Sequence, residues 1–219
     1  MPKQFARNKA KANAKKLSND QKDNADLEVR KSMLIYSAVV SVRHPSKKAE
    51  AVCKQLRKIL SPDCLSKIEV NPKLQDIVDV AAQLLVKQII YISENEIRIA
   101  LLPTGPTYSF KIIEYENNFK NFPNDIYWTT PFITFEGKSS TKTLFQNFGT
   151  MNRSARRALH FHFDDDLVHI RHYATSIQNT DENFVVHLKE IGPKLALKLL
   201  EVKNGVFPGM NLKHTQRYR

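Results

Sequence analysis

The densest chemistry in the sequence is "HFHFDDDLVHIRH", His160 to His172, where four histidines and three aspartates fall within thirteen residues. Imidazole and carboxylate are the usual ligands of transition metals and Mg²⁺, so such a cluster could arm a metal-dependent nuclease. The same letters also spell a β-hairpin. Leu159, Phe161 and Phe163 alternate with His160 and His162, and Asp164 to Asp166 supply a turn. Metal ligands must converge on one point, whereas His169 and His172 have opposite parity along one strand and face opposite ways. The hairpin reading is preferred, and no metal or cofactor is expected. The remaining Ser, His and Asp residues show no nucleophile elbow, and the six glycines form no Gly-rich phosphate loop, so no catalytic residue is assigned.

The second chemical signal is positive charge. Lys and Arg number 34 against 22 Asp and Glu, a net charge of +12 over 219 residues with a pI near 9.7. That excess favours a polyanionic partner, either nucleic acid or an anionic membrane surface. Two groups stand out: Lys47, Lys54, Arg57 and Lys58 along one stretch, and Arg153, Arg156, Arg157 and Arg171 beside predicted strands. Such residues neutralise phosphates, and arginine also stacks, which suits binding of structured RNA by shape. The competing reading for each group is solvated surface. The segment "MPKQFARNKAKANAKK" has six basic and no acidic residues. Residues 1–31 are therefore expected to be a disordered basic tail, serving as a phosphate-binding arm, a nuclear import signal or simply a solvated terminus. Trp128, the only tryptophan, is read as core or protein interface rather than as a stacking platform.

These residues need a frame, and 42% hydrophobic content over this length can build one. No window approaches a membrane span, the N-terminus is polar, and Cys53 and Cys64 lack metal-site spacing, so a reducing, non-membrane setting is expected. "SMLIYSAVVSV" predicts a buried strand. "SKKAEAVCKQLRKIL" predicts a helix opening at Ser46, with Ala49, Val52, Cys53, Leu56, Ile59 and Leu60 on its inner face. A second helix is expected over "LQDIVDVAAQLLV", then strands at "QIIYISE", "IRIALLP" and "GPTYSFKI". After the loop "NNFKNFPND", the order recurs: a strand in "YWTTPFITFEG", a short helix in "STKTLFQNF", strands at "RALHFHF", "LVHIRHYAT" and "ENFVVHLKEI", and a second Gly-Pro strand, "GPKLALKLL". Tyr108, Phe110 and Ile112 fall three, five and seven residues after Gly105, as Leu195, Leu197 and Leu199 do after Gly192. An α/β fold of two related halves, each closing on a strand that follows Gly-Pro, is predicted; "KLALKLL" has helical composition, and only its alternation argues for strand.

"IRIALLPTGPTYSFKI", "FQNF", "SARRALHF", "IRHYA" and "EIGPKLALKLLEVKNGVFPG" occur in one order that resembles the Brix domain family of ribosome-assembly factors, most like its Peter Pan (suppressor-of-Ste4) branch. The resemblance spans about residues 32–209, in halves of about 32–115 and 126–209, with a basic C-terminal tail at 210–219. It implies two halves similar to the anticodon-binding domain of class II aminoacyl-tRNA synthetases. It further implies a nucleolar, non-enzymatic protein that binds pre-rRNA on large-subunit precursors among other assembly factors and ribosomal proteins. Carried over by position, Gly105, Pro106, Thr107, Phe110, Tyr173, Gly192 and Pro193 are family-like, while Arg156, Arg157, Arg171, His172 and Lys194 join the RNA-binding candidates. The segments after "FQNF" and after "RHYA" and the C-terminal extension are shorter than in that branch. A small-subunit Brix factor, a protein-only adaptor and a metal-dependent pre-rRNA nuclease stay open as alternatives.

Overall fold

The computed structural model describes residues 36–42, 44–65, 74–117, 124–150, 155–179 and 184–210. The basic tail expected at 1–31, Arg153 and the C-terminal residues from 211 lie outside the described residues. Strand β1 (Ser37–Ser41) leads to helix α1 (Lys47–Leu60), the two-residue β2 (Cys64–Leu65) and helix α2 (Leu74–Gln83). Strands β3 (Gln88–Ile92), β4 (Glu96–Leu101) and β5 (Thr107–Glu116) complete the first half. Ser46 caps α1, its hydroxyl accepting from the Ala49 amide at 3.2 Å, as the helix-start signal predicts. Among the described residues no helix is long and apolar enough to cross a membrane.

The second half contains a 3-10 helix (Asn124–Trp128), β6 (Phe132–Glu136), another 3-10 helix (Leu144–Phe148), β7 (Arg157–Asp164), β8 (Leu167–Asn179), β9 (Phe184–Glu190) and β10 (Lys194–Lys203). Two details differ from the sequence expectation. Tyr127 and Trp128 end a 3-10 turn instead of starting a strand, and "LFQNF" is 3-10 rather than α-helix, a short form typical of connectors. "KLALKLL" is strand, because Leu195 and Leu197 are buried against the helix-covered face of the sheet. The His/Asp segment is a β7–β8 hairpin whose turn holds Asp165 at φ 50°, within the small left-handed region that Asp tolerates.

The ten strands of the described residues join one mixed sheet in the order β2-β1-β3-β4-β5-β10-β8-β7-β6, with β9 paired to β8 off this path. In the first half β1 and β3 are parallel, while β3–β4 and β4–β5 are antiparallel. The second half repeats the scheme, with β6–β7 parallel and β7–β8 and β8–β10 antiparallel. The two Gly-Pro strands meet as the central antiparallel pair, Leu197 opposite Ile112 and Leu199 opposite Phe110. An antiparallel pair is related by a two-fold axis, so matched spacing after each glycine puts both apolar sets on one face. There they share a core with α1 and with Leu144, Phe145 and Phe148 of the second 3-10 helix.

On the opposite face, among the described residues, only the first half is covered by a second core. Ile77 and Ala81 of α2 pack with Ala38, Val40, Ile89, Ala100 and Phe207. Phe207 is delivered by the segment after β10, and Thr107 holds it there. The Thr107 hydroxyl donates to the Gly205 carbonyl at 2.7 Å and accepts from the Phe207 amide at 2.9 Å. Gly105, at φ 92°, makes room: a Cβ there would lie 2.5 Å from the Gly205 oxygen. "Gly-Pro-Thr" is thus a clasp for "NGVFPG", ninety-eight residues further on by the Thr107–Gly205 bond. Replacing Thr107 with Val keeps the shape but leaves a buried amide and carbonyl unpaired. We expect a loss of about 2 kcal/mol, read as a fall in Tm of roughly 4–8 °C, with Thr107→Ser close to wild type in the same thermal melt.

Candidate nucleic-acid interface

Along α1 the spacing that buries Ala49, Val52, Leu56 and Ile59 leaves Lys47, Lys54 and Lys58 on a stripe at i, i+7 and i+11. Lys47 and Lys54 are exposed. Lys58 lies with its Nζ 4.3 Å from the centre of the Tyr127 ring, and its pKa is lowered by burial and by the neighbouring charge of Lys54. Arg57 turns inward, its Nε donating to the Val39 carbonyl at 2.9 Å, and so serves β1.

Two residues expected at the RNA surface are instead inside the protein. Arg157 and His172 are 0% exposed. The Arg157 guanidinium donates from Nε to the Thr129 carbonyl at 2.7 Å and from Nη1 to the Ile59 carbonyl at 2.6 Å, and also binds the Ser61 carbonyl through Nη2. Ile59 and Ser61 form the end of α1, whose last carbonyls have no partner within the helix, so a cation there caps it and meets the negative end of its dipole. The Tyr127 ring lies 5.4 Å from the guanidinium carbon. Burial lowers the Arg157 pKa to about 10, which still leaves it charged at neutral pH. His172 Nδ1 donates to the Gly192 carbonyl at 3.0 Å, leaving Nε2 to face Arg157 Nη1 at 3.5 Å. Burial, with the Arg157 charge adding, lowers the His172 pKa to about 3, so the ring is neutral. The parity that puts Leu159 and Ile170 in the core puts Arg157 and His172 there too.

The other candidates are at the surface but engaged. Arg156 pairs with Asp125 at 2.9 Å, Arg171 with Glu190 at 3.4 Å and Lys194 with Glu116 at 3.1 Å. Exposed ion pairs of this kind are weak and open readily to a phosphate. On the uncovered sheet face His160 and His162 both contact Glu136, at 3.3 and 3.1 Å, and their hydrogen bonds lower its pKa. Among the described residues no three His, Cys, Asp or Glu side chains converge as metal ligands. Cys64 is buried, its thiol pushed up to about 12 by desolvation, which suppresses the reactive thiolate. One basic pair escaped the sequence reading: Lys111 and Lys198, both exposed, sit directly opposite each other on the central strands. The signal was present, since each falls six residues after its Gly-Pro glycine. Like charges in that relation destabilise a sheet.

The arrangement defines a mixed-sheet scaffold of two pseudo-symmetric halves joined by one central strand pair. The chain belongs to the Brix domain family, whose model matches residues 42–201. It is similar in fold to the crystal structure of a probable ribosomal biogenesis protein from Aeropyrum pernix K1, with 13% identity, a TM-score of 0.51, and coverage of 74% of this chain and 95% of that one. An archaeal Imp4-like protein, Mil, aligns at 14% identity and a TM-score of 0.42 over 78% of this chain and all of its own. No curated protein matches the chain by sequence.

Arg157→Met should cost about 3 kcal/mol or more, because it strands buried carbonyls. In thermal melts Arg156→Ala should leave Tm within a degree or two of wild type. His172 gives a pH signature with a definite sign. Its folded pKa lies below the ordinary 6.5, so as pH falls through 6.5 the unfolded chain takes up a proton that the folded chain refuses. Stability is full above pH 6.5 and declines toward about pH 3, by at most about 1.4 kcal/mol per unit. Urea denaturation between pH 7 and 4 should show a steeper decline for wild type than for His172→Asn, which keeps a donor for Gly192 without the titration.

Proposed function

We infer that the chain is a ribosome assembly factor, a non-catalytic scaffold that binds precursor rRNA. Its family membership supports the pathway, and the basic stripe on α1 supports the chemistry. The observation that carries the RNA reading is the Lys54 and Lys58 pair, one helical turn apart and mutually repelling, with Lys47 in line and Glu50 the one acidic residue of the helix. A like-charged pair at i, i+4 destabilises a helix. A polyanion lying along the helix turns that cost into binding energy through phosphate neutralisation and counterion release. The opposed Lys111 and Lys198 support the same reading on the sheet face. The large-subunit precursor is the preferred particle, and the nucleolus the compartment, because "LPTGPTYSFKI" and "EIGPKLALKLLEV" resemble the Peter Pan branch.

An adaptor role beside RNA binding is favoured by one feature. Val185, Val186 and Leu188 of β9 are all exposed, on a strand that extends the sheet beyond its main path. Consecutive apolar side chains on both faces of a projecting strand suit a protein partner within the particle.

The salt dependence of RNA binding separates these roles. Replacing Lys47, Lys54 and Lys58 together with Ala should make the slope of log K against log salt shallower by about 2 to 3, at roughly 0.7–0.9 per phosphate contact. Wild-type protein that fails to bind precursor rRNA at moderate salt leaves the adaptor role alone. Crosslinking in cells, mapped onto precursor rRNA, then reports which subunit precursor is contacted.

A further inference from the structure

Trp128 is 75% exposed, the most exposed large apolar side chain among those described, although the residues around it are firmly held. Ile126 and Tyr127 are buried and pack with Ile191. The Thr129 carbonyl is bound by Arg157, and the Thr130 hydroxyl donates to Asp63 at 2.6 Å. A 3-10 helix eclipses side chains at i and i+3, so Asp125 lies beside Trp128, and Asp125 holds the Arg156 guanidinium at 2.9 Å. The preceding residue, Tyr127, carries the Lys58 ammonium over its ring. The only tryptophan of the chain therefore projects a solvent-facing indole between held neighbours, with Arg156 bound to Asp125 and Lys58 over Tyr127.

Exposing an indole costs hydrophobic free energy that burial would recover, and nothing in the local packing requires it. We propose that Trp128 is a stacking platform for one unpaired RNA base, with Arg156 and Lys58 taking the flanking phosphates. This rests on the RNA reading above and names the nucleotide class: a base from a loop, bulge or single strand, since bases in an A-form helix are not presented for stacking on a side chain. Cations held by the adjoining residues, Arg156 on Asp125 and Lys58 over Tyr127, distinguish this turn from a purely apolar protein-binding spot. They match a polyanion, and the Asp125–Arg156 pair is an exposed latch that a phosphate opens. The second 3-10 helix, by contrast, has its aromatics Phe145 and Phe148 in the core, so exposure of Trp128 is particular to this turn.

Because the chain has one tryptophan, its fluorescence reports the site directly. The full chain is titrated with a stem-loop RNA and with a blunt duplex of the same stem, while anisotropy of labelled RNA measures binding independently. The stem-loop should quench the emission in step with binding, and the duplex should leave it unchanged. Trp128→Ala should weaken stem-loop binding by about five- to a hundred-fold, the range for one lost stacked base, with an unaltered salt slope; Trp128→Phe should stay within a few-fold of wild type. If wild type binds neither RNA, the underlying RNA reading fails. If wild type binds with unchanged emission and Trp128→Ala binds equally well, RNA binding stands and the platform is wrong. Loss of co-sedimentation with pre-ribosomal particles by a Trp128→Ala protein of normal RNA affinity would reassign Trp128 to a protein partner and overturn the proposal.

Discussion

One buried guanidinium ties this fold together. Arg157 reaches from β7 in the second half to the end of α1 in the first, and its partners are backbone carbonyls rather than a carboxylate. A charge without water is tolerated there because the helix end is itself negative and the Tyr127 face adds to it. Through His172 the same group reaches the Gly192 carbonyl, so "SARRAL", "IRHYA" and "EIGPK", distant in sequence, converge on one network. His172 must stay neutral for this, since a second positive charge 3.5 Å from Arg157 would break the contact.

The second organising constraint is the central pair of Gly-Pro strands. A two-fold relation between halves forces their apolar residues onto the same face, and one core then serves both. Both glycines have positive φ, and both Gly-Pro bonds are cis. The halves diverge where they cross between parallel strands. The first crossover carries two helices, one for each face of the sheet, while among the described residues the second carries a 3-10 helix on the core side. The uncovered face therefore keeps His160, His162, His169 and Arg171 at the polar positions of its strands.

Basic residues in this protein divide by what surrounds them. Arg57 and Arg157 are held by backbone carbonyls, whereas Lys47, Lys54, Lys111 and Lys198 are exposed, and the last two face each other. Lys111 faces Lys198 on one side and Glu96 on the other, so its charge is only partly balanced within the sheet, and the Trp128 indole is left in water.

Much of the fold was legible in one dimension. The 3.6-residue period of α1, its Ser46 cap, the alternation of β5, β7 and β10 and the repeated Gly-Pro spacing are local signals, and local signals survive without knowledge of neighbours. Parity also excluded convergence of His169 with His172, since a strand's two faces are set by its own backbone. What sequence reading misjudged was the environment of polar groups. Arg156 and Arg157 are adjacent and chemically alike, yet one lies on the surface and the other inside, because two of the three acceptors for Arg157 come from residues ninety-six and ninety-eight positions away. The Thr107 clasp and the exposure of Trp128 were hidden for the same reason. The sequence alone determined which residues alternate and which face each shares; tertiary structure decided which polar groups meet a partner, because that depends on carbonyls and rings brought together only by chain closure.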